Sequence, residues 1–206
     1  WHLSDGNREN QYALMKAGCI PPIVGMVTNP DPEMQTNAAG SLACLSRENP
    51  ENQAAVARSG AIPPLCTMVR DGTPETREES AAALWALATD NAPNKATIAK
   101  LGGIEPLVNM LMYAVSEKSS INAAGALAAL AAQHTDNRLT ITKRMVNVLA
   151  SKAPAARAVR LLSALASLCD NEPTNQVAIA KSGGVLHLIV WLSNTSEDVQ
   201  IQAARA

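Results

Sequence analysis

Residues 52–69 read Asn-Gln-Ala-Ala-Val-Ala-Arg-Ser-Gly-Ala-Ile-Pro-Pro-Leu-Cys-Thr-Met-Val, and recognisable copies of this segment recur along the chain. Each copy begins with an asparagine, and successive asparagines are separated by 42, 42, 43 and 38 residues. These residues are Asn10, Asn52, Asn94, Asn137 and Asn175. A period of roughly 40–47 residues that carries helical patterns is typical of solenoids built from two- or three-helix repeats.

A glycine closes the first helix in four of the five copies. It follows the asparagine by eight residues, at Gly18, Gly60, Gly102 and Gly183. We expect a left-handed backbone there, because glycine adopts it without the strain that a Cβ brings. A proline in the next first turn, such as Pro64, lacks only an N–H that would have no helical partner. The sequence therefore predicts a sharp corner between two short helices.

A third and longer helix follows in each repeat. Its start combines a side-chain N-cap with an acidic first turn, at Asp31-Pro32-Glu33, Thr73-Pro74-Glu75 and Ser196-Glu197-Asp198. Its centre is rich in alanine and leucine, as in residues 37–45, 79–87 and 122–130. The complete unit is therefore predicted to contain three helices.

These units resemble armadillo repeats. The resemblance rests on Asn-Gln-x-x-Val-x-x-x-Gly-Ala-Ile-Pro-x-Leu, starting at Asn52, and on Ala-Ala-Gly-x-Leu, starting at Ala38 and Ala123. It implies an all-α, right-handed α-solenoid of about four and a half repeats. In that family, successive third helices line a concave groove that holds extended peptide segments of partner proteins.

The repeats divide one predicted domain, residues 1–206, into six segments. They are 1–4 (the end of a preceding repeat), 5–47, 48–89, 90–132, 133–170 and a truncated 171–206. Because both ends interrupt a repeat, we expect the chain to be a fragment of a longer array. The fourth repeat lacks five residues where Gly102 and Pro106 stand in the third. Residues 138–150 are therefore predicted to form one helix, which makes this repeat two-helical and HEAT-like.

The composition argues against several classes of function. Seventeen basic and eighteen acidic residues give a net charge of −1, and aromatic residues make up 2% of the chain. We therefore expect no nucleic-acid partner, since a basic surface and stacking aromatics are both missing. The sequence has no run of eighteen apolar residues, so direct membrane insertion is not expected. We expect a cytoplasmic location, with the nucleus as a further possibility, and the oligomeric state stays open.

The sequence contains no group of residues whose spacing predicts catalysis or the binding of a metal ion or cofactor. The four cysteines have no Cys-x-x-Cys spacing and are predicted to be small apolar core residues rather than disulfide partners or metal ligands. Paired carboxylates, nucleophile–base pairs and phosphate-binding loops are likewise missing from the repeating pattern. The sequence therefore predicts a protein without enzymatic activity, metal or cofactor.

A helical wheel at 100° per residue selects the residues of the third helices that face the groove. The set is Asn37, Gly40, Cys44, Glu79, Ala82, Ala86, Asn122, Gly125, Ala129, Arg160, Ser163 and Ser167, and His2 extends the line. The glycine and alanine residues at the bottom of the groove have two interpretations. They allow close packing of neighbouring helices, or they leave room for an amphipathic helix or large apolar side chains of a partner. Trp85 also has two interpretations: it packs between repeats, or it forms a wall of the groove that stacks on a ligand.

The importin-α branch of the armadillo family clamps basic localisation peptides with an array of tryptophan and asparagine. The matching positions here hold glycine, alanine, serine or cysteine. The only neighbouring acids near this face are Glu78 and Glu79, and Arg157 and Arg160 oppose them further along. The leading hypothesis is therefore a non-enzymatic scaffold that binds partner proteins, as extended peptides or helices, along the groove. The alternatives are a structural rod whose groove packs against another domain of its own protein and, disfavoured by the missing array, a localisation-signal receptor.

Overall fold

The computed structural model describes residues 3–151, 154–170 and 172–206, and this part of the chain forms fourteen α-helices. Residues 1 and 2, which carry the predicted groove extension at His2, lie outside it. Repeat one contains α1 (Arg8–Lys16), α2 (Ile20–Val27) and α3 (Pro32–Ser46). Repeat two contains α4 (Pro50–Arg58), α5 (Ile62–Asp71) and α6 (Pro74–Ala88). Repeat three contains α7 (Ala92–Lys100), α8 (Ile104–Met112) and α9 (Glu117–Ala131). Repeat four contains α10 (Thr135–Ala150) and α11 (Ala155–Cys169), and repeat five α12 (Pro173–Lys181), α13 (Gly184–Leu192) and α14 (Glu197–Arg205).

The glycine corners have the predicted left-handed backbone. Gly60 has a φ of 83°, and the equivalent glycines of repeats one, three and five have φ values of 76–78°. A Cβ built on Gly60 would meet no atom within 4 Å. Glycine is therefore required there by the backbone angle and not by crowding.

The asparagine that heads each repeat holds two helices together. The Asn52 Nδ2 atom donates to the Leu45 carbonyl at 2.8 Å, seven residues earlier, and Asn94 donates to Leu87 in the same way. The bond recurs between Asn10 and Leu3, Asn137 and Leu130, and Asn175 and Leu168. Each carbonyl belongs to the end of the preceding third helix or its equivalent, where helical partners run out. The recurring asparagine thus links the start of one repeat to the end of the one before.

A second corner, between each third helix and the next repeat, has a left-handed backbone that the sequence did not reveal. Glu48, Asp90 and Gln133 have φ values of 54°, 53° and 55°, and Gly6 stands at the same position with 66°. The following residue is the N-cap of the next helix, as Asn49 is for α4. Among the described residues that adopt this turn, three of four carry a Cβ.

Repeat four is two-helical, as predicted. α10 is one continuous helix of 16 residues, and it replaces two helices and the corner between them. It is buried along one side through Ile141, Met145 and Leu149.

The N-caps predicted for the third helices are only partly correct. Asp31 and Thr73 accept hydrogen bonds from backbone N–H groups of their helices at 2.9 Å and 3.2 Å. Ser196 occupies the cap position of α14, but its side chain makes no such bond. Within the described residues, no helix is long and apolar enough to cross a membrane.

Candidate protein-binding groove

The third helices lie side by side. α3 packs along α6, α6 packs along α9, and α11 packs along α14, whereas α9 and α11 make little contact. We call the face of α3, α6, α9 and α11 that carries the predicted set the third-helix groove. Its residues differ widely in exposure. Asn37, Ser163 and Ser167 are exposed, Ala82, Gly125, Ala129 and Arg160 are half-buried, and Gly40, Cys44, Glu79, Ala86 and Asn122 are buried.

The buried members of the set offer a ligand little surface. Cys44 and Ala86 expose 4% and 7% of their surface. Asn122 uses its carboxamide within the protein, since its Nδ2 atom donates to the Glu78 carbonyl of α6 at 2.9 Å. The role of these residues in binding stays a prediction, and the exposed members are the ones that a partner can touch.

Trp85 is the large exposed side chain of this face. Its indole lies against the backbone of Gly125 in α9, so that a Cβ built on Gly125 would stand 2.5–2.6 Å from three ring atoms. The side chain nevertheless stays 38% exposed. Trp85 therefore packs between repeats, as the first interpretation predicts, and its role as a wall that stacks on a ligand stays a prediction. Gly125 is needed for this close approach.

A depression lies beside the Trp85 indole. It has a volume of about 440 Å³ and is bounded by Ala82, Ala86 and Thr89 of repeat two and by Arg47 and Glu48 after α3. The alanines leave room that larger side chains would fill. An indole beside an unfilled apolar depression is the kind of surface where protein interfaces concentrate binding energy.

The acidic pair of the groove already has a cation. The Lys118 Nζ atom lies 2.5 Å from a Glu79 carboxylate oxygen and 3.3 Å from one of Glu78. The hydrogen bond with Glu79 raises the pKa of Lys118. Arg157, one of the two arginines expected to oppose this pair further along, lies over the Tyr113 ring at 5.2 Å, and Lys118 was not among the predicted charges. Lys118 lies one helical turn before Asn122, so the helical wheel that selected Asn122 for the groove could also have selected Lys118.

Repeat four leaves an opening in the row of third helices, which we call the α9–α11 cleft. Its volume is about 670 Å³, and its walls are α9 and α11. Leu111 of α8 and Met145 of α10 lie at its base. Three predicted groove residues, Arg160, Ser163 and Ser167, line it. The five-residue deletion was the sequence signal for this opening, but its consequence for the groove was not foreseen.

The cysteines fit their predicted place in the core. All four are free thiols, with Cys44, Cys66 and Cys169 buried and Cys19 half-buried. Burial raises the pKa of Cys66 and Cys169 to about 11, which keeps these thiols protonated at neutral pH. In the described part of the chain, no group of three or more cysteine, histidine or acidic side chains is placed to hold a metal ion.

Comparison with known proteins agrees with this architecture. The model of the armadillo/β-catenin-like repeat family matches residues 7–47, 49–89 and 91–132. The chain belongs to the armadillo repeat family. The three matched segments contain the three-helix repeats, whereas residues 133–206, which begin with the two-helical repeat, lie outside them. No curated protein matches the chain significantly.

Solved structures with the same armadillo fold cover nearly the whole chain. One is an engineered protein with 27% identity and a TM-score of 0.74, and the match covers 100% of this chain and 84% of that one. A designed armadillo repeat protein in complex with the peptide (KR)4 has 21% identity and a TM-score of 0.70, with 99% and 87% covered. Another engineered protein has 28% identity and a TM-score of 0.70, with 98% and 50% covered. These likenesses confirm the α-solenoid.

Proposed function

We propose that this armadillo chain is a non-enzymatic scaffold that binds partner proteins along the third-helix groove. The observation that supports the proposal best is the exposed indole of Trp85 beside the depression formed by Ala82 and Ala86. An indole supplies a large apolar contact area at a low cost in side-chain entropy, and tryptophan is enriched where interfaces concentrate binding energy.

The charged side chains of the groove bear on whether a basic or an apolar partner binds there. A designed protein of this fold is described in complex with the strongly basic peptide (KR)4, which supports peptide binding as a function that this fold can have. In this chain the carboxylates of Glu78 and Glu79 are paired with Lys118. Lys118 offsets one of the two carboxylate charges, so a lysine of a partner gains less from this pair than from two unpaired carboxylates. We therefore infer that apolar or aromatic side chains, held against Trp85, anchor the partner.

The test is selection of binders from a displayed library of random twelve-residue peptides, with the isolated chain as bait. Loss of the Trp85 side chain should weaken the selected peptides by about 30-fold or more, because a hot-spot residue contributes about 2 kcal/mol or more. Trp85→Ala is compared with Tyr12→Ala, which removes an aromatic residue of α1 that is 47% exposed and lies outside the groove.

Equal affinity for the wild-type chain and Trp85→Ala, with both variants folded by circular dichroism, would refute the assignment to this groove. Loss of affinity in Tyr12→Ala but not in Trp85→Ala would move the binding surface to the outer helices. Failure to select any peptide from the library would count against the scaffold itself.

A further inference from the structure

We propose that the α9–α11 cleft is a docking site for an amphipathic helix of a partner protein, with a carboxylate on that helix that binds Arg160. The inference rests on the proposed function, because the cleft belongs to the same row of third helices. It adds a second site, chemically distinct from the Trp85 depression, and a class of ligand for it.

The dimensions of the cleft fit a helix. Its lining runs from Ser120 to Ala131 along α9 and from Val159 to Leu168 along α11. At 1.5 Å per residue these stretches are roughly 17 Å and 14 Å long, or about three helical turns. Side chains at i, i+3 or i+4, and i+7 of a docked helix span about 10.5 Å and fit within that length. A long opening between two helices is therefore matched better by a third helix than by a compact small molecule.

The chemistry of the walls favours a helix over an extended peptide. The walls are largely apolar, with Ala124 and Leu127 on one side and Ala164 and Leu168 on the other. The hydroxyl of Ser167 is already engaged, because it donates to the carbonyl of Ser163 in its own helix. An extended peptide would bury N–H and C=O groups that find few partners here, whereas a helix satisfies its own.

Arg160 supplies the charge preference. It is half-buried at the N-terminal end of the cleft, and its one hydrogen bond within the described residues is a long contact of 3.5 Å to the Ala114 carbonyl. A guanidinium has five N–H donors, so most of them remain for a partner. At the other end, Arg138 forms an ion pair with Glu172, and Asp170 lies beside them. Of the two arginines that line the cleft, Arg138 has a carboxylate partner among the described residues, so a carboxylate on the docked helix complements Arg160.

The experiment uses a displayed library built on a small three-helix scaffold, in which positions i, i+3, i+4 and i+7 of one exposed helix and two flanking positions are randomised. Selected clones should carry leucine, isoleucine, methionine or phenylalanine on the helix face and glutamate or aspartate at a flank. Ala128→Trp fills the cleft from an exposed position of α9 and should weaken these clones at least tenfold. Its matched control is Ala96→Trp, an exposed alanine of α7 that does not line the cleft, and affinity should be unchanged.

Ser163→Trp fills the cleft from α11 and serves as the second variant, so that misfolding of Ala128→Trp cannot decide the outcome. Arg160→Glu should weaken the acidic clones tenfold, and changing the acid of the clone to lysine should restore affinity. Arg58→Glu, on the exposed side of α4, is the charge control and should have no effect.

The proposal is overturned if no helical clone is selected, if the clones tolerate both tryptophan variants, or if affinity ignores the charge at Arg160. Selection of extended peptides that depend on Trp85, together with failure of the helical library, would reject this cleft and leave the proposed function standing. Failure of both libraries would reject both.

Discussion

The contact between Trp85 and Gly125 makes a quantitative prediction. Gly125 lies inside α9, where replacement of glycine by alanine normally stabilises a helix by about 1 kcal/mol. Here the new Cβ would stand 2.5–2.6 Å from the Cδ2, Cε2 and Cε3 atoms of the indole, so the ring must move. Added volume in a packed site costs about 1–3 kcal/mol. We therefore expect Gly125→Ala to destabilise the wild-type chain by up to about 2 kcal/mol.

The same substitution should increase the free energy of unfolding, rather than decrease it, when the indole is absent. In a Trp85→Ala background only the helical preference remains, and Gly125→Ala should stabilise α9 by about 1 kcal/mol. The difference between the two backgrounds is a coupling energy of about 1–3 kcal/mol, as expected for residues in contact. Gly25→Ala in α2 is the control, because a Cβ there meets no atom within 4 Å. It should stabilise both backgrounds equally.

The measurement is urea denaturation followed by circular dichroism, together with hydrogen exchange of the α9 amides. Hydrogen exchange is needed because solenoid repeats can unfold locally. A coupling energy below about 0.5 kcal/mol would refute the reasoning, since residues that do not touch behave additively. The exposed wall assigned to Trp85 would then lose its support.

Four further predictions follow from particular residues. Gly60→Val should destabilise repeat two by about 1–3 kcal/mol, because φ is 83° there, and an unchanged melting temperature would contradict this. Gln133→Gly should stabilise the chain by about 1 kcal/mol, because it relieves a left-handed residue that carries a Cβ; a lower urea midpoint would show that the side chain matters more than the backbone. A basic localisation peptide should show no saturable micromolar binding in calorimetry while Lys118 holds the acidic pair, and a tight complex that Glu79→Lys abolishes would overturn that view. Cys66, with its pKa raised to about 11 by burial, should alkylate with iodoacetamide at about pH 8 far more slowly in the folded chain than in urea, and equal rates in intact-mass measurements would contradict its burial.

Most of the fold could be read from the sequence because its determinants are local. A glycine eight residues after four of the five asparagines, joined in the first three repeats by a proline in the next first turn, determines the corners. These residues act through the φ angle and the missing N–H of a single residue. The deletion in repeat four removed such a corner, and α10 accordingly runs as one helix from Thr135 to Ala150. These features could be predicted without knowing the contacts between repeats.

The second corner was missed for a related reason. Glu48, Asp90 and Gln133 adopt left-handed angles although side chains of their kind rarely do so. Their conformation follows from the asparagine links and caps around them, such as the bond from Asn52 to Leu45. A local propensity cannot reveal an angle that neighbouring hydrogen bonds impose.

The amino-acid sequence was sufficient to define the repeat and its helices, because these follow from a period of about 3.6 residues and from single-residue conformational preferences, and it predicted a groove face for each third helix. The exposed surface and the charge pairs of that face became apparent only in the folded chain. The placement of Trp85 over Gly125 and of Lys118 over Glu79 joins residues 40 and 39 positions apart, and the α9–α11 cleft lies between two third helices that make little contact. These outcomes are set by the rotation and spacing between repeats, which arise from side-chain packing across the whole interface and cannot be read from any one repeat.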